Sequence, residues 1–404
     1  MMAPALSGCS PDFPAPLPGG VRHSLSSRSI ARRAPALSGA TASSPEDSPF
    51  SPGVAGWTTG SFIIKTASGP RFSVLSLARL FRLLASSRRP LRADSSLFIT
   101  GFGEDGLFAY DSLENAFVPV QVLVRTPWAG GMRRLIFAEG RLLDAFPGRR
   151  ILTDGWRRIP LGDLGKHFTG TLALSQPTPG PDAICDTPGL AGRMRLLGFL
   201  FASLLPDRKT AEVKILPQYA PMLGWIQWLR AHGTVPGLPD AEPAFRDGRF
   251  ILGGSRCARA LHSLFSDPEE RFRHIPSFVF RHGTDDRREF LIGLSEGCGS
   301  FLPGHGTLRL TPGGMEASVQ TMLLCHSLGL AASMHLAGGG PVVDMSPDHD
   351  ISAGLLRSGL APEHAVKQTA WSQASRVRIL TSSSCAESYD IITESGGIDL
   401  NGVC

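Results

Sequence analysis

The chain has no Cys-x-x-Cys pair and no Cys/His spacing of a zinc site. Its seven cysteines, Cys9, Cys185, Cys257, Cys298, Cys325, Cys385 and Cys404, are odd in number and far apart. This excludes a Cys-x-x-Cys zinc module and argues against a disulfide framework. Reduced cysteines in an intracellular protein are expected. Long hydrophobic runs are missing too. The most apolar stretch, Leu196–Leu205, is interrupted by Gly198 and Ser203, far short of the ~20 residues a membrane-spanning helix needs. Excess charge is small: 40 basic against 35 acidic residues leave +5, a mild bias compatible with nucleic acid but no proof of it. Histidines stand without partners at metal-ligand spacing, and Gly304-His305-Gly306 reads as a turn.

Glycine (46) and proline (32) are abundant, which predicts turn-rich β-structure or low-complexity stretches. The 404 residues suffice for two or three domains with sizeable cores. Residues 1–55 are rich in Ser, Pro, Ala and Gly without periodicity and are expected to be a disordered tail. Up to Ser44 they carry Arg22, Arg28, Arg32 and Arg33 against the single acid Asp12. That balance resembles an organellar transit peptide, and a solvated tail fits equally.

Residues 57–170 read as mostly β, in short apolar segments punctuated by Gly, Pro and Asp-Gly; "FSVLSLARLFRLLASS" is a candidate helix. "SQPTPGPDAICDTPG" at 175–189 is a linker. From 191 to 338 helix-like stretches ("RMRLLGFLFASLL", "APMLGWIQWLRAHG", "RCARALHSLFS", "RREFLIGLSEG", "EASVQTMLLCHSLGL") alternate with strand-like ones. Residues 339–365 look loop-like. "SRVRIL" and "SYDIIT" are further strands near the end.

The apolar helix "FLIGLSEGCGSF" carries Gly293, Gly297 and Gly299. Each glycine weakens a helix interior by roughly 1 kcal/mol relative to alanine, a cost accepted where another backbone comes close. A weak repeat supplies the neighbour. "RLLGFLFASLL" (195–205) matches "EFLIGLSEGCG" (289–299), and Gly198 and Gly293 are 95 residues apart. Two similar units, 191–265 and 276–338, are expected to pack with their glycine-bearing helices touching.

These residues resemble the LAGLIDADG, or dodecapeptide (DOD-type), homing endonucleases. Leu291–Gly299 follows the family's nonapeptide in its apolar and small positions; Leu197–Ser203 is a poorer match. The flanks resemble the Hint fold of inteins. "WTTGSFIIKTASG" (57–69) fits the opening block, "RLLDAFPGRRILTDGWRRIPLGDL" (141–164) a second block, and "ESYDIITESGGIDLNGVC" (387–404) the closing block. The resemblance implies a mixed fold: an all-β Hint-like domain made from both chain ends (57–170 and 366–404), with an inserted α+β endonuclease-like domain (191–338) of two pseudo-repeats. It further implies a monomer with a pseudo-twofold axis, double-stranded DNA as partner and Mg²⁺ for any surviving cleavage; an intracellular location is expected, with nucleus and organelle both open, and no membrane association.

The residues needed for chemistry are replaced. Trp57 stands where the resemblance calls for the splicing nucleophile, and an indole is none. Phe146 and Arg149 stand at the positions of the family's Thr-x-x-His, and arginine cannot exchange the proton. If Asn401-Gly402 is the Asn-Gly turn of the family's closing block, the given sequence stops short of the expected His-Asn pair. If Cys404 is instead the downstream nucleophile, Gly402 and Val403 replace that pair. Ser203 and Cys298 align with the metal-binding carboxylates and supply no hard oxygen anion. Glu296 is a candidate substitute, with Asp207 or backbone carbonyls as companions; the plainer reading is a solvated or capping carboxylate. Splicing is therefore expected to be lost and cleavage impaired.

Cations remain for duplex binding. Between Arg125 and Lys166 nine basic residues face four acids, with Trp128 and Trp156 interleaved. Arg149, Arg150, Arg157 and Arg158 there, with Lys209 and Lys214 after the first glycine helix, are the DNA-contact candidates. A solvated strand face explains the same charges. The competing readings are an active homing endonuclease, a catalytically inactive DNA-binding descendant, and a β-rich interaction protein.

Overall fold

The computed structural model describes residues 53–66, 69–93, 95–102, 106–111, 116–127, 131–137, 142–152, 158–164, 171–173, 191–204, 211–213, 224–225, 227, 241–246, 249–266, 273–302, 306–337, 340–357, 374–381 and 387–393. The tail before residue 53, the 175–189 linker, Asp207, and the closing residues Asn401 to Cys404 lie outside these stretches.

The opening segment forms a hairpin, Thr59–Thr66 against Gly69–Ser76, in register from Thr59↔Ser76 to Thr66↔Gly69. The candidate helix of residues 72–87 divides at Ser76. Its first part alternates as a strand, with Val74 buried; helix α1 (Leu77–Ser87) then buries Leu77, Leu80, Phe81 and Leu84. That i, i+3, i+4, i+7 spacing is one helix face.

Strands from the two ends of the chain interleave in one large sheet. Val54–Ala55 lies between Leu142–Ala145 and Glu387–Thr393. Ala374–Thr381 lies between Arg133–Phe137 and Thr171–Ala173. Ala173 pairs directly with Ala374, so the chain leaves this sheet and returns to it at adjacent positions. Among the described residues, no strand between 191 and 357 joins it.

The intervening chain supplies helices α2 (Ala191–Ser203), α3 (Ser255–Phe265), α4 (Thr284–Cys298), α5 (Met315–Ser327) and α6 (His349–Arg357). It also forms two smaller sheets with one connectivity. After α2, Leu204 bridges Val213, and the strands order as Ala211–Val213, Arg249–Gly253, Ala241–Arg246; α3 follows. After α4 the order is Gly299–Phe301, Leu308–Leu310, Gly340–Met345, Ala332–Ala337; α6 follows. Helical residues Gly224, Trp225 and Gln227 fall where α5 stands in the second unit. The two units share an order of elements and an order of strands.

Residues 339–365, expected as loop, carry the strand Gly340–Met345 and α6. Two local signals account for them. Val342, Val343 and Met345 are buried in the strand. Asp348 Oδ1 accepts the Ile351 N–H at 2.9 Å, capping α6 while Ile351 and Leu355 turn inward. The second unit therefore runs on to Arg357 rather than stopping at 338.

Two hydrophobic cores result. Val54, Phe62, Leu80, Leu135, Tyr389 and Ile391 belong to one, built from both chain ends. Phe199, Leu200, Phe290, Leu294, Leu310 and Leu355 belong to the other. They are not segregated. Val74 and Leu142 of the large sheet reach into the second core. The buried Gln320 amide accepts the Ile275 N–H (2.6 Å) and donates to the Val74 carbonyl (3.2 Å). Pro49–Cys404 is one compact unit.

Candidate functional site

Helices α2 and α4 meet backbone to backbone. A methyl group at Gly198 would be driven into the Phe290 carbonyl, and one at Gly293 into the Arg195 carbonyl. At Gly297 it would lie 2.6 Å from Ala202 Cβ, with Ser203 N at 3.5 Å. Arg195 thus faces residue 293, and Ala202 and Ser203 face residue 297. The helices run parallel and end side by side, at Ser203 and Cys298. The neighbour expected for Gly293 is the one present. A glycine-to-backbone approach gains close dispersion contact along the whole interface, which repays the conformational cost of each glycine.

At the shared end the polar groups turn inward. Ser203 Oγ donates to the Phe199 carbonyl (2.6 Å), and Cys298 Sγ approaches the Leu294 carbonyl at 3.4 Å. Each is a bond back to the helix's own preceding turn. The Cys298 carbonyl accepts from Thr311 Oγ1 (3.1 Å). Arg273 Nη1 donates to the Phe201 and Ala202 carbonyls at 2.7 and 3.3 Å. Burial pushes the Arg273 guanidinium below its ordinary value, with Cys298 opposing the shift.

Glu296 sits within the helix pair with its side chain 0% exposed. Arg195 forks onto it, Nε lying 3.2 Å from each carboxylate oxygen and Nη2 also bonded. Trp225 Nε1 donates to Oε2 at 2.6 Å, and its ring stacks on Phe199 with centroids 5.5 Å apart. Burial lowers the Arg195 pKa, the bonds to Glu296 outweigh that, and the net direction is upward. The carboxylate is committed to an internal ion pair.

A divalent ion such as Mg²⁺ asks for several hard oxygen ligands. A back-bonded hydroxyl, a thiol and a carboxylate already gripped by arginine do not fit it, and among the described residues no three His, Cys, Asp or Glu side chains cluster as a metal site. Among the described cysteines, Cys257, Cys298 and Cys325, none forms a disulfide.

The other candidate locus lies in the large sheet. Trp57 packs beside Ala55, Met132 and Phe146 in a small apolar cluster, so two of the three residues aligned with splicing positions are brought together. Arg149, one turn on, donates Nη1 to Asp390 Oδ1 at 2.6 Å. Asp390 is 5% exposed; burial pushes its carboxyl upward and Arg149 pulls against it. The site unites an indole, a phenyl ring and a buried ion pair.

No protein-family model matches the chain, and no curated protein matches it. Solved structures do: its neighbours are inteins, over part of its length. The transcription factor IIB Mvu mini-intein is 17% identical, with a TM-score of 0.25, over 30% of this chain and 70% of that one. The Mja mini-intein of the same factor is 14% identical, with a TM-score of 0.24, over 30% and 65%. The Pab PolII intein is 12% identical, with a TM-score of 0.26, over 34% and 74%.

Among the described residues of the basic stretch, several cations are already bonded within the chain. Arg125 pairs with Glu387, Arg134 forks onto Asp144 (2.7 and 2.6 Å), and Arg133 donates to the Leu161 and Leu164 carbonyls. With Arg149 on Asp390, four of the nine cations have internal partners. Arg150 is exposed. Arg157, Lys209, Lys214 and the side chain of Arg158 lie outside the described residues, as do Trp128 and Trp156. On the second small sheet Arg309 forks onto Asp344 at 2.7 Å for both bonds.

Sequence reasoning missed Arg195, Trp225, Arg273 and Asp390. Arg195 and Glu296 are 101 residues apart, and nothing local announces their pairing. Asp390 stands within the quoted closing block, where its neighbours Tyr389 and Ile391 signalled a strand rather than a buried anion.

Proposed function

We propose that the chain is an intein-derived protein of homing-endonuclease type. In this reading it has lost self-splicing and DNA cleavage, and duplex DNA binding is the function that remains. One observation carries the reading: two parallel helices touch through glycines at matching positions of two units with the same strand order. Those units lie between two chain ends that complete a single sheet. The sequence resemblance of the same glycine helices and of the flanking blocks supports the same origin.

Loss of splicing follows from the groups at the aligned positions. Trp57 and Phe146 offer no nucleophile and no proton acceptor. Arg149 is ion-paired to Asp390, and a guanidinium is no proton-transfer group. Loss of cleavage follows from Ser203 and Cys298, and from the capture of Glu296 by Arg195. Duplex binding would use the outer faces of the two small sheets and exposed cations such as Arg150.

The test is selection from randomised duplex DNA with the purified chain in Ca²⁺, followed by incubation of the enriched site with Mg²⁺ or Mn²⁺. The expected result is a site bound with steep salt dependence and left uncut. Cleavage would restore the endonuclease reading. No enrichment would remove DNA from the function altogether. The internal commitment of Arg125, Arg134, Arg149 and Arg309 favours one second reading, a β-rich interaction protein, which that outcome would select.

A further inference from the structure

The junction where α2 and α4 end together poses an electrostatic problem. A helix C-terminus carries a partial negative charge from carbonyls with no partner in the helix. Parallel packing places two such ends side by side, and neither helix has a basic residue in its last turn. Arg273 is delivered there by the segment joining the two α/β units. A backbone bridge between Ser266 and Arg273, the His274 N–H bonded to the Phe265 carbonyl (2.8 Å), and the Ile275 N–H bonded to Gln320 pin that segment. Its guanidinium donates to two last-turn carbonyls of α2, at the point where Ala202 and Ser203 lie against residue 297 near the end of α4. Among the described residues no carboxylate forms an ion pair with it. The negative groups it meets are the last-turn carbonyls of α2, beside which α4 also ends.

We infer that Arg273 is the resident cation of this junction, so that a guanidinium holds the place where a divalent ion would otherwise neutralise the two converging helix ends. A fixed guanidinium with five N–H donors meets carbonyl oxygens, which a hard dication would need supplemented by carboxylates.

The experiment uses the full chain, thermal unfolding, and Mn²⁺ titration followed by electron paramagnetic resonance. Arg273→Met is expected to lower Tm by roughly 3–6 °C, and Arg273→Lys to recover part of that loss. Cys298→Asp is expected to raise Tm when Arg273 is present and to lower it in the Arg273→Met background, where no cation faces the new carboxylate. Ser203→Asp/Cys298→Asp is expected to bind no Mn²⁺, and adding Arg273→Met to that pair to create one Mn²⁺ site. An unchanged Tm in Arg273→Met would overturn the inference. So would equal effects of Cys298→Asp in both backgrounds, or Mn²⁺ binding that ignores residue 273. If Arg273→Met does not fold, Cys298→Asp alone decides, a rise supporting the inference and a fall overturning it. None of these readouts uses DNA, so this inference and the DNA-binding proposal fail separately.

Discussion

Gly293 and Gly198 are tightly constrained, because the atom each lacks would overlap a carbonyl of the facing helix. Backbone cannot swing aside as a side chain can, so Gly293→Ala is expected to cost about 3 kcal/mol, the upper end of overpacking penalties. Gly224 is the control: it is helical and exposed, with nothing near the position of an added Cβ. Gly224→Ala should be neutral or stabilising by up to about 1 kcal/mol. Urea unfolding of the two variants checks both, and equal effects would refute the close packing. His274 offers a second measurement. Burial, aided by Arg79, lowers its pKa from 6.5 to about 3. The folded state therefore holds the neutral ring where the unfolded chain is protonated. Stability from this group is complete above pH ~6.5 and is lost as pH falls toward 3, at up to about 1.4 kcal/mol per pH unit. In His274→Gln that part of the acid slope should vanish, as unfolding midpoints between pH 7 and pH 4 would show.

Among the elements, α2 and α4 were legible as a pair before their contact was seen. Glycines at matching positions in two apolar segments have few explanations other than mutual approach. Their companions were harder to read. The strand Gly340–Met345 and helix α6 hide behind a Gly-Gly-Gly-Pro stretch and an Asp-rich turn, which local reasoning takes for loop. The buried polar partners were not legible at all. Glu296 looked like a metal ligand or a cap because its sequence neighbours say nothing about Arg195. A carboxylate's role depends on which cation the fold delivers to it, and here that cation comes from the other unit.

At the scale of the whole molecule, the sheet built from both chain ends is the governing feature. Because Ala173 and Ala374 are paired residues, a two-residue Asn-Gly turn can join them directly. A chain excised in this way, with residues 174–373 removed, is expected to keep the large sheet and unfold cooperatively in urea. Its stability should fall, since Val74 and Leu142 lose the second core they touch. A chain ending at residue 373 should not fold, because Val54–Ala55 and Arg133–Phe137 lose the strands they pair with. Circular dichroism and urea titration distinguish the cases. A folded truncation together with an unfolded excision variant would reverse the account.

The sequence by itself determined the two glycine helices and the strand-rich flanks. Those are properties of residue type, spacing and order, which a linear pattern carries. Only the tertiary structure decided which charges are spent. Arg125 and Arg149 read as a basic surface in sequence and are ion-paired to Glu387 and Asp390 in space, as Arg195 is to Glu296. A counter-ion is defined by proximity, and proximity between residues a hundred or more positions apart exists only in the folded chain.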